Sequence, residues 1–257
     1  MIDRLRPGHN WHLVSLLALV ATLATVGVAI DRGLVLVVAG APLPVVGIVA
    51  LAALFPDELS AAWAEHRRYV WFAAGLFGFG ALIGALLLAA GIDLTEFFLE
   101  LLEEELGIDE DDPDAFDVDA TFFVLNNTPP FLLSILGAIT LGLFTALIML
   151  FNGILVGNIA VSIAGLAGVA FIIVGLVPHG IFELSALFVA SGVGFRLVHR
   201  FGQRLMGHRD AIVTRAYLRR TAILVLFAWL LLVIAAFVEA YLTHALLEAF
   251  FAEPPDP

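Results

Sequence analysis

Seven apolar runs dominate this sequence, and each is long enough to cross a lipid bilayer as a helix. A helix rises about 1.5 Å per residue, so about 20 apolar residues span a hydrocarbon core roughly 30 Å thick. Inside lipid only helices and closed barrels pair every backbone N–H and C=O group. The sequence therefore predicts an all-α fold, a polytopic bundle of about seven transmembrane helices. The predicted spans are Leu13–Ile30, Gly33–Phe55, Val70–Ile92, Phe131–Phe151, Ile159–Leu176, Ile181–Val198 and Thr221–Thr243.

The composition excludes an ordinary soluble domain. Hydrophobic residues make up 61% of the chain and charged residues 14%, and the mean hydropathy is +1.04. Soluble domains carry about 25% charged residues. The chain has no cysteine, so neither a disulfide framework nor a thiolate metal site is available.

The charged residues are biased in sign and in type. All 12 basic residues are arginine, against 24 aspartates and glutamates, and the net charge is −12. An acidic, lysine-free chain suits concentrated salt, where charges are screened within about 3 Å or less. This pattern predicts a halophilic protein of archaeal, and specifically haloarchaeal, origin. A genome of high GC content, which favours arginine codons, would give the same lysine deficit.

The arginines predict how the bundle is oriented. Cytoplasmic loops carry an excess of arginine and lysine, and seven alternating crossings place three arginine groups on one side. We therefore expect a multi-pass protein of the cell membrane with a cytoplasmic N-terminus and an extracytoplasmic C-terminus. Only Arg32 falls on the other side. The three groups are Arg4 and Arg6; Arg67 and Arg68; and Arg196, Arg200, Arg204, Arg209, Arg215, Arg219 and Arg220.

Composition shifts divide the chain into three parts. Residues 1–64 form a transmembrane hairpin with a cytoplasmic linker, residues 65–244 a membrane domain, and residues 245–257 an acidic tail. An acidic external loop, 93–130, interrupts the membrane domain. Its first half opens with Asp93 and Glu96 spaced as a capping box, which predicts an amphipathic helix on the membrane surface. A second short helix is expected around Phe116 to Leu125.

Four patches of the sequence, taken together, resemble the stage II sporulation protein M family of integral membrane proteins. They are "FFVLNNTPP", "LFNGILVGN", "VPHGIFELSALFVASGVGFRL" and "AAFVEAYLT", and their order and spacing look like the family over roughly residues 65–244. The positions that carry the resemblance are Asn126, Asn127, Asn152, Gly153, Gly157, Pro178, His179, Gly180, Glu183 and Glu239.

This resemblance implies a non-enzymatic function. In sporulating bacteria the family is associated with engulfment, as a membrane partner of two cell-wall hydrolases. The implied role is a non-enzymatic membrane scaffold or remodelling component that acts through an unidentified membrane or external protein partner. Members also occur in organisms that do not sporulate, so the engulfment role itself does not follow.

Five polar residues are expected to meet at one depth near the extracytoplasmic boundary. His179 and Glu183 are four residues apart and share a helix face, and Glu239 lies a similar distance inside the last span. Asn126 and Asn127 are expected just outside the start of the fourth span. A charged side chain at membrane depth costs about 2.5–3.5 kcal/mol even on lenient scales, so these groups should face inward and find partners.

Three interpretations of this polar cluster remain open. The first is an interhelical polar clamp. The second is a cation or proton site of a transporter or channel for a small solute or ion, and the third is a zinc hydrolase centre. The H-x-x-x-E spacing of His179 and Glu183 differs from H-E-x-x-H, which argues against zinc hydrolysis. Neither Ser185 nor Ser191 lies in a nucleophile elbow. The sequence thus predicts no catalytic residue, no metal and no cofactor.

Small residues and asparagines predict helix packing and turns. Pro178 and Gly180 in "PHG" are expected to end the fifth helix and so separate it from the sixth. Asn152 and Asn158 are expected to cap helices at the cytoplasmic turn between the fourth and fifth. Gly153 and Gly157 have the G-x-x-x-G spacing of closely packed membrane helices, as do Gly80 and Gly84. The same motif also permits a homo-oligomer.

The loop from Arg196 to Arg220 is the strongly basic surface of the chain. Beyond orienting the protein, it is expected to contact anionic membrane lipids or a cytoplasmic partner. No glycine-rich phosphate loop accompanies it. The acidic balance and the membrane setting give no reason to expect nucleic acid as a partner.

Overall fold

The computed structural model describes residues 9–97 and 119–251, and every regular element within these two ranges is a helix. The α-helices are α1 His9–Asp31, α2 Val35–Gly40, α3 Pro42–Leu54, α4 Pro56–Ala89, α5 Ala120–Leu136, α6 Leu143–Ala167, α7 Val169–Leu205, α8 Arg215–Phe237 and α9 His244–Phe251. A 3₁₀ turn, Gly137–Thr140, follows α5, and a π-helix, Val238–Thr243, joins α8 to α9.

These helices form seven segments that are long and apolar enough to cross a membrane, as predicted. Helices α2 and α3 together make the second segment, and α8, the π-helix and α9 make the seventh. Large apolar side chains cover the outside of the bundle, with Leu36 87% and Leu166 86% exposed. An apolar exterior requires lipid around it, so this is a multi-pass membrane protein.

The seventh segment lies at the centre of the bundle. Within an apolar stretch of 18 residues, 56% of this segment is buried, whereas the share in the corresponding stretches of the other six segments is 17–33%. Leu224, Phe227, Leu231 and Ile234 of α8 are each at most 5% exposed and form the middle of the largest hydrophobic cluster. Inward-facing polar side chains of this segment, such as Arg220 near one end and Glu239 near the other, therefore contact residues of other helices.

The predicted bounds of the fourth, fifth and sixth spans are wrong. Pro178 and Gly180 do not break the chain, because α7 continues through both from Val169 to Leu205. Proline is tolerated inside a membrane helix where neighbouring helices and side chains compensate for the lost hydrogen bond. The chain instead turns at Leu141–Gly142 and at Gly168, which adopt φ of 55°, 84° and 88°. Glycine adopts positive φ at little cost, so "LG" and "AG" end these helices.

The acidic loop also differs from the prediction. Asp119 caps α5 by accepting a hydrogen bond from the N–H of Phe122 at 2.9 Å, so residues 120–125 belong to the fourth span and not to a separate short helix. Pro129 and Pro130 lie inside that helix. The predicted amphipathic helix falls largely on residues 98–118, outside the described ranges. At its start, bonds from the Thr95 hydroxyl and N–H hold the pKa of Asp93 below its usual value.

The bundle has two chemically distinct ends. The arginine-rich end comprises residues 55–69, 137–142 and 196–220, where Gly142 contacts Phe195 and Glu65 contacts Arg196. The acidic end comprises residues 31–37, 90–97, 119–126, 163–172 and 239–251. Of the arginines in the described ranges, only Arg32 lies at the acidic end, where it pairs with Glu248.

The two G-x-x-x-G motifs pack against each other inside the protein. A Cβ on Gly84 of α4 would lie 2.0 Å from the carbonyl oxygen of Ile154, and one on Gly157 of α6 would lie 2.1 Å from that of Ala81. A Cβ on Gly80 or Gly153 would lie 2.4 Å or 2.2 Å from a carbonyl oxygen of the opposite helix. The motifs thus hold α4 against α6, which is the packing predicted from their spacing.

Candidate polar site at the acidic end

Three of the five predicted polar side chains meet between α7 and the π-helix. One ligating atom from each of His179, Glu183 and Glu239 lies within 4.8 Å of the other two. The Nε2 atom of His179 is 3.8 Å from Oε1 of Glu239. We call these three residues the His–Glu cluster. Its members come from two helices that are far apart in the sequence and adjacent in the bundle.

The local backbone explains how the cluster forms. Because α7 is unbroken through Pro178, His179 and Glu183 stand one turn apart on the same face. Glu239 and Thr243 both belong to the π-helix Val238–Thr243 at the end of α8. π-Helical turns are rare and occur frequently at functional sites. This wider turn places both Glu239 and Thr243 against His179.

The three side chains differ in burial and in partners. His179 is 7% exposed, and its Nδ1 lies 3.3 Å from the hydroxyl oxygen of Thr243. Glu239 is half-buried, with its side chain 25% exposed. Glu183 is also half-buried, and within residues 9–97 and 119–251 its carboxylate accepts no hydrogen bond. Two carboxylates and an imidazole therefore share a low-dielectric position with few donors.

A groove of about 820 Å³ opens beside the cluster at the acidic end. Glu239 belongs both to the cluster and to the groove wall. The other polar lining residues are Arg32, Asp119, Tyr241 and His244, and the apolar part of the wall comes from residues 33–37, Phe123 and Ala240. The groove therefore meets the cluster at Glu239.

The predicted position of Asn126 and Asn127 outside the fourth span is wrong. Both lie inside α5, which begins at Ala120, and both are half-buried. In the described part of the chain neither amide makes a hydrogen bond to the cluster. The start of α5 instead lines the groove, through Asp119 and Phe123.

The predicted capping role of Asn152 and Asn158 is also wrong, because both lie inside the single helix α6. Asn152 donates to the carbonyl of Ile148 in its own helix at 2.9 Å. Asn158 is fully buried and joins α6 to the end of α4. Its Nδ2 donates to the carbonyls of Gly84 and Ile92, and its Oδ1 accepts from the N–H of Leu94 at 2.8 Å.

A second ionic cluster lies at the arginine-rich end, and sequence reasoning missed it. Glu65 of α4 pairs with Arg196 and Arg200 of α7, each at 2.7 Å, and with Arg220 of α8. The two α7 arginines are 7% and 1% exposed. The sequence signal was Glu65 itself, an acidic residue two positions before Arg67 in a basic segment. From the sequence, the arginines indicate an orientation and a surface for lipids or a partner, and not partners of a buried carboxylate.

Arg200 is the centre of this second cluster. Its Nε donates to the carbonyl of Ile212 at 2.6 Å, and its guanidinium lies 3.8 Å from the centroid of the Tyr217 ring. The ring of His66 stacks on that of Tyr217, with the ring centroids 5.7 Å apart. Together these contacts fix the loop between α7 and α8 against α4.

Comparison with known proteins gives the same assignment as the sequence patches. The stage II sporulation protein M family profile matches residues 73–244, a range that contains the whole His–Glu cluster. An uncharacterized protein of Methanocaldococcus jannaschii is 34% identical over 122 residues, which cover 46% of this chain and 67% of that protein. No solved structure matches the chain. Because the profile covers more than half of the sequence, the chain belongs to the stage II sporulation protein M family.

Proposed function

We propose that this protein is a non-enzymatic scaffold or remodelling component of the cell membrane that acts through protein partners. The observation that carries the proposal is the separation of its two polar clusters. Between Glu183 and Arg196, roughly 20 Å along α7, the inward face is closely packed. The buried apolar residues of this stretch are Ala186, Leu187, Val189, Ala190 and Val193. Such packing favours a rigid body with two functional ends over a conducting path.

The contacts of the serine residues are consistent with a non-enzymatic role. Ser191 is buried and its hydroxyl donates to the sulfur of Met149 at 3.2 Å. Ser185 lies on the exposed side of α7. In the described ranges no serine forms a hydrogen bond with a histidine, which a serine nucleophile needs for activation.

Site-specific photo-cross-linking in native membranes tests the scaffold proposal. A photoreactive residue at Leu36, in the wall of the groove, should yield a discrete protein adduct. The same residue at Leu166 is the matched control, because it is equally exposed at the same end but away from the groove. Identical adducts at both positions, or lipid adducts alone at Leu36, would contradict the proposal.

A transporter or channel for a small solute or ion is the second candidate, favoured by the opening of the His–Glu cluster into the groove through Glu239. This candidate requires ion or solute flux in proteoliposomes that is lost on Glu183→Gln. The scaffold proposal expects no flux above that of protein-free vesicles, with the adduct at Leu36 retained.

We further propose that the arginine-rich end faces the cytoplasm and that the protein works in concentrated salt, as in a halophilic archaeon. The first follows from the positive-inside rule, the second from the excess of carboxylates and the absence of lysine. Thermal unfolding should therefore shift to higher temperature between low and multimolar KCl. A midpoint that does not change with KCl would argue against halophilic adaptation.

A further inference from the structure

We propose that His179, Glu183 and Glu239 bind one divalent transition-metal cation of the Zn²⁺ or Mn²⁺ type. The inference does not depend on the scaffold role. It begins from geometry, since three potential ligand atoms from two helices already lie within 4.8 Å of one another. No contiguous metal-binding motif marks these residues in the sequence, because the third ligand comes from a different helix.

The surroundings of His179 match those of a metal ligand. A ligating histidine almost always donates its other ring N–H to a neighbouring acceptor, which fixes the tautomer. Thr243 occupies that position, 3.3 Å from Nδ1. In the tautomer in which Nδ1–H donates to Thr243, Nε2 carries no proton and lies 3.8 Å from Oε1 of Glu239, which exceeds hydrogen-bond length. A cation between them resolves that contact.

The charge of the cluster also calls for a cation. Glu183 and Glu239 stand together inside a membrane bundle, and Glu183 has no hydrogen-bond donor within the described ranges. If both carboxylates were ionised and the imidazole neutral, the cluster would carry a charge of −2 in a medium where each charge is costly. One divalent cation makes the cluster neutral, whereas a monovalent cation leaves a net negative charge in the bundle.

The ligand set selects the class of metal. One imidazole nitrogen and two carboxylate oxygens suit zinc, manganese or ferrous iron, whereas calcium and magnesium prefer oxygen alone and copper(I) prefers sulfur. Metal–ligand bonds of about 2.0–2.2 Å bring ligands about 3–3.5 Å apart. Rotation of the two flexible glutamate side chains closes the remaining distance. Because Glu239 also lines the groove, the cation can load from the acidic end.

Metal binding by the purified full chain tests the proposal. The protein is prepared in detergent with a tag that contains no histidine, stripped with a chelator and titrated with Zn²⁺ and Mn²⁺ by calorimetry. We expect one equivalent per chain and a loss of affinity of at least 100-fold for Glu183→Gln and Glu239→Gln. The chain has no cysteine, so thiolates make no contribution.

Two further variants make the result specific. Thr243→Val removes no ligand but removes the partner of Nδ1, so affinity should fall about 10- to 100-fold. Glu248→Gln changes an exposed glutamate near His244 at the same end, and it should bind metal like the unaltered protein. Mn²⁺ electron paramagnetic resonance reports directly whether the ion is immobilised.

Either of two results overturns the inference. One is the absence of saturable binding by the unaltered protein, with infrared spectra showing protonated carboxyl groups that are lost on Glu183→Gln; the cluster then holds protons in place of a metal. The other is equal binding by the unaltered protein and by Glu239→Gln, which would place the metal on exposed histidines.

Discussion

Glu65 is the residue on which the arginine-rich end depends. It is the shared counter-ion of three arginines, two of them buried. Removing one partner of a buried ion pair leaves uncompensated charge and costs about 3–5 kcal/mol. Glu65→Gln should therefore lower the free energy of unfolding by about that amount, measured by denaturant titration in detergent.

Glu58→Gln is the matched control for this prediction. Glu58 lies on the same helix and pairs with Arg219, whose side chain is 65% exposed. Surface pairs of this kind contribute about 0–1 kcal/mol. Equal losses of stability for the two variants would show that the burial of the Glu65 cluster has no energetic consequence.

Asn158 has a comparable role at the acidic end, where its amide satisfies three backbone groups of residues 84–94. Each buried polar group left without a partner costs about 1–3 kcal/mol. Asn158→Ala should therefore destabilise the protein by about 3 kcal/mol and accelerate hydrogen exchange at the Leu94 amide. Asn152→Ala, which loses one bond within its own helix, should cost less than about 1 kcal/mol and leave that exchange unchanged. A Leu94 amide that exchanges at the same rate in both variants would refute the assignment.

At the scale of helices, the close contact between α4 and α6 depends on glycine. A Cβ on Gly84 would lie 2.0 Å from a backbone oxygen that cannot move aside without moving α6. Gly84→Ala should cost about 1–3 kcal/mol through overpacking. Gly78→Ala on the same helix, where no atom lies within 4 Å, should be neutral or slightly stabilising. Thermal unfolding of both variants makes the comparison, and a neutral Gly84→Ala would mean that the two helices are further apart than the structure places them.

Helix existence was predictable in this chain, whereas several helix ends were not. Apolar length alone identified seven spans, because an unbroken run of about 20 apolar residues crosses lipid as a helix that pairs its own backbone groups. Pro178 and Gly180 were predicted to end a helix, and both lie inside α7. The fourth span was predicted to begin at Phe131, whereas α5 begins at Ala120. The true ends at Leu141–Gly142 and Gly168 lie in stretches as apolar as the helices themselves. Hydropathy cannot locate a turn that is as apolar as the helices beside it.

At the scale of the whole molecule, the seven spans and the distribution of arginine predict a fixed orientation. The chain has no natural cysteine, so a single cysteine reports its own side of the membrane. Glu96→Cys at the acidic end should react with an impermeant maleimide in intact cells. Asp210→Cys at the arginine-rich end should react only after permeabilisation. The reverse labelling pattern would show that the arginine-rich end faces outward.

The sequence by itself determined the class of the fold, the number of spans and the family, because these follow from local apolar length and from short motifs read in order. It also identified His179, Glu183 and Glu239, since an ionisable residue in an apolar run is conspicuous wherever it lies. It misplaced Asn126, Asn127, Asn152 and Asn158, because their positions depend on where helices begin and end.

Only the tertiary structure decided which side chains meet. Glu65 pairs with arginines on two other helices, and Glu239 lies near His179 because of a π-helix that the sequence analysis did not predict. Which side chains become partners depends on how each helix is rotated about its axis and how far it is shifted along its neighbours. Helix packing sets both, through close contacts such as those of Gly84 and Gly157. These are long-range properties of the bundle, and a single helix read in isolation does not contain them.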